Sequence, residues 1–376
     1  MKDSLSGRQV ESAAAGHPMD LKAAVAGARE TAASAFDAAT TAGEVALAEL
    51  RRLLTAWRSH EPGARLGHDP EALHQLRVTA RRIDATLGLF KRHLPVALAN
   101  GRRSAKTVLR ALGAARDLDV QLAELARYCL ALPEPERAAA APLRARLETE
   151  RARARARMIR VLDAEPTRRW LEALSRASAA SPTAAGAFAD RAVLVMPERV
   201  RRRFRKLRKS VRRLHTSSAM EDYHLVRRRA KQLRYAIESG AVLFGKPAEE
   251  ALKALRRLQD ELGVHQDAYM ARNRLAALAA DPASQLPPGT LFLMGRLAER
   301  HATTTSQARK SLNRSWRKVR GRRWKALRSR LGELVDTARQ ARSPVGAEPV
   351  PAAPALAVAA SLQQHSPEPE SHAIKH

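Results

Sequence analysis

Carboxylates, cysteine, aromatic rings and long apolar runs are all scarce in this chain, and each scarcity excludes something. Only 38 Asp and Glu stand against 68 Lys and Arg, a formal net charge of +30 over 376 residues. Such an excess bears on partners and solubility, not on fold. The chain repels itself until something anionic neutralises it, so the partners to weigh are nucleic acid, inorganic polyphosphate and an acidic membrane surface. Aromatic residues make up 4%, which counts against a platform for stacking unpaired bases. Cys129 is the single cysteine, so no intramolecular disulfide can form and a reducing cytoplasm is expected. No apolar run approaches the roughly 18 residues needed to cross a bilayer. The opening MKDSLSGRQVESAAAGHPMD lacks the apolar centre of a signal peptide. A soluble, cytoplasmic chain without a membrane span is expected.

Runs of alternating β-branched residues are also missing. Ala, Leu, Arg and Glu dominate instead, all good helix formers, and apolar residues recur at steps of three and four almost throughout. The fold class is therefore all-α. Residues 1–40 are Ala-rich with few large apolar groups and read as a flexible segment. Residues 339–376 are rich in Pro, Ala and Ser and read as a flexible tail. The folded part is expected over 41–338, with breaks at EPGARLGHDP (61–70), LPEPE (132–136), SPTAAG (181–186) and DPASQLPPG (281–289).

An internal repeat organises that folded part. At an offset of 150 residues, LHQLRVTARRI (73–83) falls on YHLVRRRAKQL (223–233), and LGAARD (112–117) falls on LGVHQD (262–267). Arg103 and Lys106 fall on Lys253 and Arg256, while Arg51, Arg52 and Arg58 fall on Arg201, Arg202 and Arg208. RRWLEAL (168–174) resembles RRWKALR (322–328) at an offset of 154, a difference that one loop absorbs. Ordered blocks at nearly one offset indicate a duplicated unit. Unit one is expected over 41–180, with helices near 42–59, 70–93, 101–129 and 137–175. Unit two is expected over 186–338, with helices near 190–215, 220–244, 248–279 and 290–335, the fourth helix being open to a break in either unit. Two pseudo-symmetric four-helix bundles would then face each other with their shared motifs opposed.

The second helix of each unit carries the chemistry. Leu73, Leu76, Ala80, Ile83 and Leu87 form one apolar stripe, and Tyr223, Val226, Ala230, Leu233 and Ile237 its counterpart. His74, Arg77 and Arg81 lie one residue on, about 100° round the helix, and His224, Arg227, Lys231 and Arg234 repeat the pattern. A basic stripe bordering the core belongs in a groove or channel between helices. Like charges three and four apart destabilise a helix by a few tenths of a kcal/mol per pair, on the order of 0.2–0.5, a cost that a bound polyanion reverses. Arginine forks match phosphate oxygens, lysine adds a mobile point charge, and phosphates would favour the charged, doubly donating form of His74 and His224. Residues 201–213 add nine Arg or Lys, and Arg102, Arg103, Lys106 and Arg110 form a shorter basic face. Asp117 and Asp267 are placed to orient the arginines. A solvated charged helix is the bland alternative; the matched second copy argues against it.

H-x-L-R-V-x-x-R-R at 74–82, L-G-x-x-R-D-L-D-V at 112–120 and H-x-x-R-x-x-x-K-x-L-R-Y at 224–235 together resemble the CHAD domain, the conserved-histidine α-helical family. The similarity covers most of residues 41–335. The resemblance implies two pseudo-symmetric four-helix bundles with inorganic polyphosphate bound at a basic surface or channel between them. The positions that match are His74, Arg77, Arg81 and Arg82, then His224, Arg227, Lys231 and Arg234. Asp84 departs from the basic residue usual there, which Arg234 keeps in the second copy, so binding is expected to be stronger on the second half.

The remaining motifs fail on chemistry. GAVLFGKP (240–247) lacks the hydroxyl of a phosphate-binding loop and the strand before it. His372 and His376 have helical spacing but no rigid scaffold for a metal. RGRR (320–323) lacks the proline of an AT-hook. No nucleophile elbow is visible, and the acidic E-x-E-x-K start of a CYTH triphosphatase is absent. The expectation is a non-enzymatic polyphosphate-binding protein without cofactor, attached to polyphosphate granules or sensing long chains. Its expected site combines the two helical stripes and Arg82 with Arg103, Lys106, Arg202, Arg208, Lys253 and Arg256. The alternative is a general nucleic-acid binder. An enzyme acting on phosphate polymers would need Mg²⁺ on Asp117, Asp119 or Asp267, the only carboxylates near the stripes.

Overall fold

The computed structural model describes residues 39–134, 136–179, 186–215 and 217–341. Apart from these residues' margins, the expected N-terminal segment and tail lie outside the described residues. Within them the chain is all-α, and the one β-type pairing is an isolated bridge between Thr41 and Arg191. The helices are α1 (Ala42–Leu66), α2 (Pro70–Leu89), α3 (Arg102–Cys129), α4 (Ala141–Asp163), α5 (Glu165–Ala179), α6 (Ala192–Val211), α7 (Met220–Ser239), α8 (Lys246–Ala280), α9 (Pro288–Arg320) and α10 (Arg322–Gln340). Two short helices, Val96–Asn100 and Ala241–Phe244, fill connections.

Local chemistry accounts for the helix ends. Thr41 and Glu44 form a reciprocal capping box at the start of α1. Asp69 accepts from the Glu71 N–H at 2.8 Å, and Pro70 occupies the first turn of α2. Helix α1 passes its expected end at 59 and runs through Pro62. Glu61 bridges that turn by accepting from Trp57 Nε1 at 2.6 Å and from Arg65 at 2.9 Å. It stops at Gly67, whose φ of 79° is left-handed and whose missing Cβ leaves room for the Arg155 guanidinium. The fourth helix expected in each repeat is broken in both: at Ala164, whose extended backbone separates the two pieces with Pro166 in the first turn of the second, and at Gly321.

Neighbour relations recur in the two halves. Helix α1 packs on α2 and α5, α2 on α3, and α3 on α4; later α6 packs on α7 and α10, α7 on α8, and α8 on α9. Every residue of the two apolar stripes is buried, from Leu73 to Leu87 and from Tyr223 to Ile237. The tryptophan-bearing closing helices do equivalent work. Trp170 meets Trp57 edge-on at 5.9 Å, and Trp324 stacks on Phe204 at 3.6 Å. The halves are tied by packing of α2 against α7 and of α1 against α6 and α7. Polar ties cross the same seam: His93 to Asp190 at 3.1 Å, Arg199 to His93 at 3.0 Å, and Arg82 to Glu238 at 3.3 Å. This seam sets the two basic stripes against each other.

Candidate functional site

A groove of about 520 Å³ lies along the α2–α7 contact. One wall is Arg81, Asp84 and Gly88 of α2 with Arg102 and Lys106 of α3. The other is His224, Arg227, Arg228, Lys231 and Tyr235 of α7, with Arg203 of α6 and Gln266 of α8. The two stripes meet: Lys231 feels the charges of Arg81, Arg227 and Arg77, and Arg227 feels that of Arg81.

The repeated L-G-x-x-x-D blocks explain how the arginines are held. A Cβ at Gly113 would touch Arg77 Nε at 3.6 Å, and one at Gly263 would touch Arg227 Nη2 at 3.4 Å. Each guanidinium therefore passes close beside a glycine of the next helix, where a larger residue would crowd it. Asp117 stands 3.8 Å from Arg77, and Arg227 donates to Gln266 Oε1 at 3.0 Å. Asp267 acts on both Arg77 and Arg227 through its charge. Arg227 Nε and Arg203 Nε are buried without a hydrogen-bond partner, so donors at the groove remain unsatisfied.

Electrostatic repulsion in the groove is large. Burial first, then the arginines around it, pushes the Lys231 ammonium down to about 6. Burial with Arg199 and Arg202 lowers Arg203 to about 10. Burial also lowers His74, assisted by Arg116, Arg77 and Arg81 and opposed by Glu71. The groove is thus short of negative charge, the condition an anion relieves.

The structure gathers Arg81, Lys106, His224, Arg227 and Lys231 in the groove lining, with Arg77 directly behind them. His74 is half-buried at the head of the same stripe. Arg82 and Arg234 sit beside the groove, turned onto one carboxylate: Glu238 lies 3.3 Å from Arg82 and 3.6 Å from Arg234. Arg103, Arg202 and Arg256 are exposed outside the lining, and Lys253 is bound to Glu250 at 2.7 Å. Arg208 lines a separate cavity with Arg212, Trp316, Arg317 and Arg320. Asp84 has its own cation, accepting from Arg102 Nε at 2.9 Å. It lines the groove, whereas Arg234 stands outside the lining.

Arg203, Gln266 and Arg228 stand in the lining without having been singled out from the sequence, and Arg102 was placed only in a general basic face. For Arg203 a signal existed. It lies three residues after Val200 and four before Leu207, both buried, so its spacing places it beside the core as firmly as Arg77. The offset to the first repeat favoured Arg202 instead, because Arg203 falls on Leu53 there.

Of the candidate carboxylates for a metal, Asp119 is buried against Arg151 at 2.6 Å, and Asp117 and Asp267 face arginines. No cluster of metal-ligating side chains occurs among the described residues. GAVLFGKP forms the one-turn helix Ala241–Phe244 and the turn at Gly245, not a strand and phosphate loop. No described helix is long and apolar enough to cross a membrane.

The family described as CHAD domain matches residues 48–276, more than half of the chain. Among solved structures, the CHAD domain from the plant Ricinus communis is 26% identical with a TM-score of 0.62, over 74% of this chain and 93% of that one. PptA from Streptomyces chartreusis is 23% identical with a TM-score of 0.59, over 74% of this chain and all of that one. No curated protein sequence matches.

Proposed function

The chain belongs to the CHAD domain family, and from that membership and the groove we propose that it binds inorganic polyphosphate without catalysing its turnover. One observation carries the reading: cations from both repeats converge on one half-buried groove whose own carboxylate, Asp84, is already matched by Arg102. A flexible chain with one charge per phosphate fits such a groove. It brings many oxygens to arginine forks, demands no base recognition and expels no stacked rings. Affinity comes from charge-assisted hydrogen bonds and counterion release, so it falls steeply with salt. The duplicated halves would act as two pseudo-symmetric helical bundles clasping the polymer at their seam. Attachment to cytoplasmic polyphosphate granules, or sensing of long chains, follows from such binding.

The test is competition at near-physiological salt between long polyphosphate and duplex DNA of equal total charge. Polyphosphate is expected to displace DNA. Equal affinity or a preference for DNA would make the protein a general nucleic-acid binder. Shortening of the polymer on incubation with Mg²⁺ would make it an enzyme.

A further inference from the structure

The two repeats build the same stripe, yet the groove at their contact is lined by Arg102 and Lys106 of the first repeat, while Arg82 and Arg234 stand outside its lining. The residues that differ at equivalent positions explain this. Position 88 in the first repeat is Gly88, which leaves the groove wall open with the Arg102 guanidinium 3.2 Å from where a Cβ would stand. The residue 150 places on is Glu238, whose side chain is only 13% exposed. It stands against Arg82 from the opposite half at 3.3 Å and Arg234 from its own helix at 3.6 Å, and its charge reaches Arg52 on α1. Position 85 is Ala85 in the first repeat, and its counterpart Tyr235 is buried. Beside Gly88 the first repeat leaves space, and at the equivalent position the second places the carboxylate of Glu238, while Tyr235 lines the groove itself.

We infer that Glu238 is the specificity-determining stop of the polyanion site. It neutralises Arg82 and Arg234, which would otherwise continue the basic path across the seam, and so confines a bound phosphate chain to the Arg102–Lys106 side. A carboxylate does this where a plain apolar plug would not. It repels phosphate directly and offsets the charge of Arg82 through one contact at 3.3 Å and of Arg234 at 3.6 Å, although the Nε of each guanidinium stays buried without a hydrogen-bond partner. Asp84 has the opposite effect on the open side. It holds Arg102 at the groove wall by its 2.9 Å bond and leaves Lys106 free for the ligand.

This inference rests on the polyphosphate reading, and the experiment separates the two. Affinity of the full chain for long polyphosphate is measured over a range of salt for the unaltered protein, Glu238→Gln and Glu148→Gln, the last removing an exposed carboxylate elsewhere. Each phosphate newly contacted steepens the log–log salt dependence by roughly 0.7 for a single-stranded polyanion. Glu238→Gln is expected to steepen it by about two such contacts and to tighten binding, and Glu148→Gln to leave the slope unchanged. Adding Arg82→Gln to Glu238→Gln should take back about one contact. A slope in Glu238→Gln no different from that in Glu148→Gln overturns the stop while leaving the polyphosphate reading intact. Absence of polyphosphate binding by the unaltered protein overturns both. If Glu238→Gln does not fold, Arg82→Gln alone decides: an unchanged slope supports the stop, because Arg82 is already occupied, and a shallower slope overturns it.

Discussion

Lys231 is where the chemistry of single residues is most exposed. An ammonium held down to about 6 by burial and its arginine neighbours is mostly neutral in the empty groove at pH 7.5. A polyanion returns it toward its ordinary range, so binding takes up a proton. The sign follows by linkage: affinity is highest below about pH 6, where Lys231 is already charged, and falls as pH rises through 6 toward the value the bound lysine acquires. Calorimetry in buffers of different ionisation enthalpy at pH 7.5 should show net proton uptake approaching one, and Lys231→Met should lose most of it. Uptake of the same size in Lys231→Met would assign the proton to another group. The sign for stability is separate. The folded value lies below the unfolded one, so this lysine's stability cost is greatest at low pH and fades as pH climbs above about 6. Lys231→Met should therefore raise thermal stability near neutral pH by about 0.5–2 kcal/mol, the range common for a single stabilising substitution.

At the scale of the element, one helix face does two jobs. Tyr223, Val226, Ala230, Leu233 and Ile237 bury α7 in the core, and Arg227 and Lys231, one position on from Val226 and Ala230, meet the groove. Truncating the second set leaves the first untouched. Arg227→Ala with Lys231→Ala should therefore keep helicity and cooperative unfolding. It should weaken polyphosphate binding by at least roughly tenfold, since a hydrogen bond to a charged group is worth about 1.5–3 kcal/mol. The salt dependence should flatten as well. An unchanged affinity in the double variant would move the site elsewhere on the molecule. The same division made these elements legible in sequence. The order and approximate extent of the helices followed from period and breakers because the apolar spacing is regular on every one of them. The ends that differed did so through partners of the chain's own making, such as Glu61 holding α1 together across Pro62.

At the scale of the molecule, the groove straddles the contact between halves. A ligand there relieves repulsion between them and stabilises both. At a free ligand concentration about 100 times Kd the gain is about 2.7 kcal/mol. For a chain of this size that is roughly 3–5 °C in Tm, and differential scanning calorimetry should show it as one transition moving as a unit. A shift confined to part of the unfolding profile would place the ligand on one half alone. The sequence by itself determined the helical class, the repeat, the buried stripes and the residues at the heart of the groove. Periodicity, duplication and charge are properties of residue order, and they needed no distances. Only the tertiary structure decided which cations are available. Arg82 and Arg234 read as equals of Arg81 and Lys231 in the chain, yet Glu238 holds both. Arg203 read as one of a basic run, yet its place beside Phe204 and Leu207 brings it to the lining. Asp84 read as a flaw in the first repeat, yet it fixes Arg102 beside the open space. The physical reason is common to all three: a charge is worth what lies within a few ångströms of it, and residue order does not say which helix supplies that neighbour.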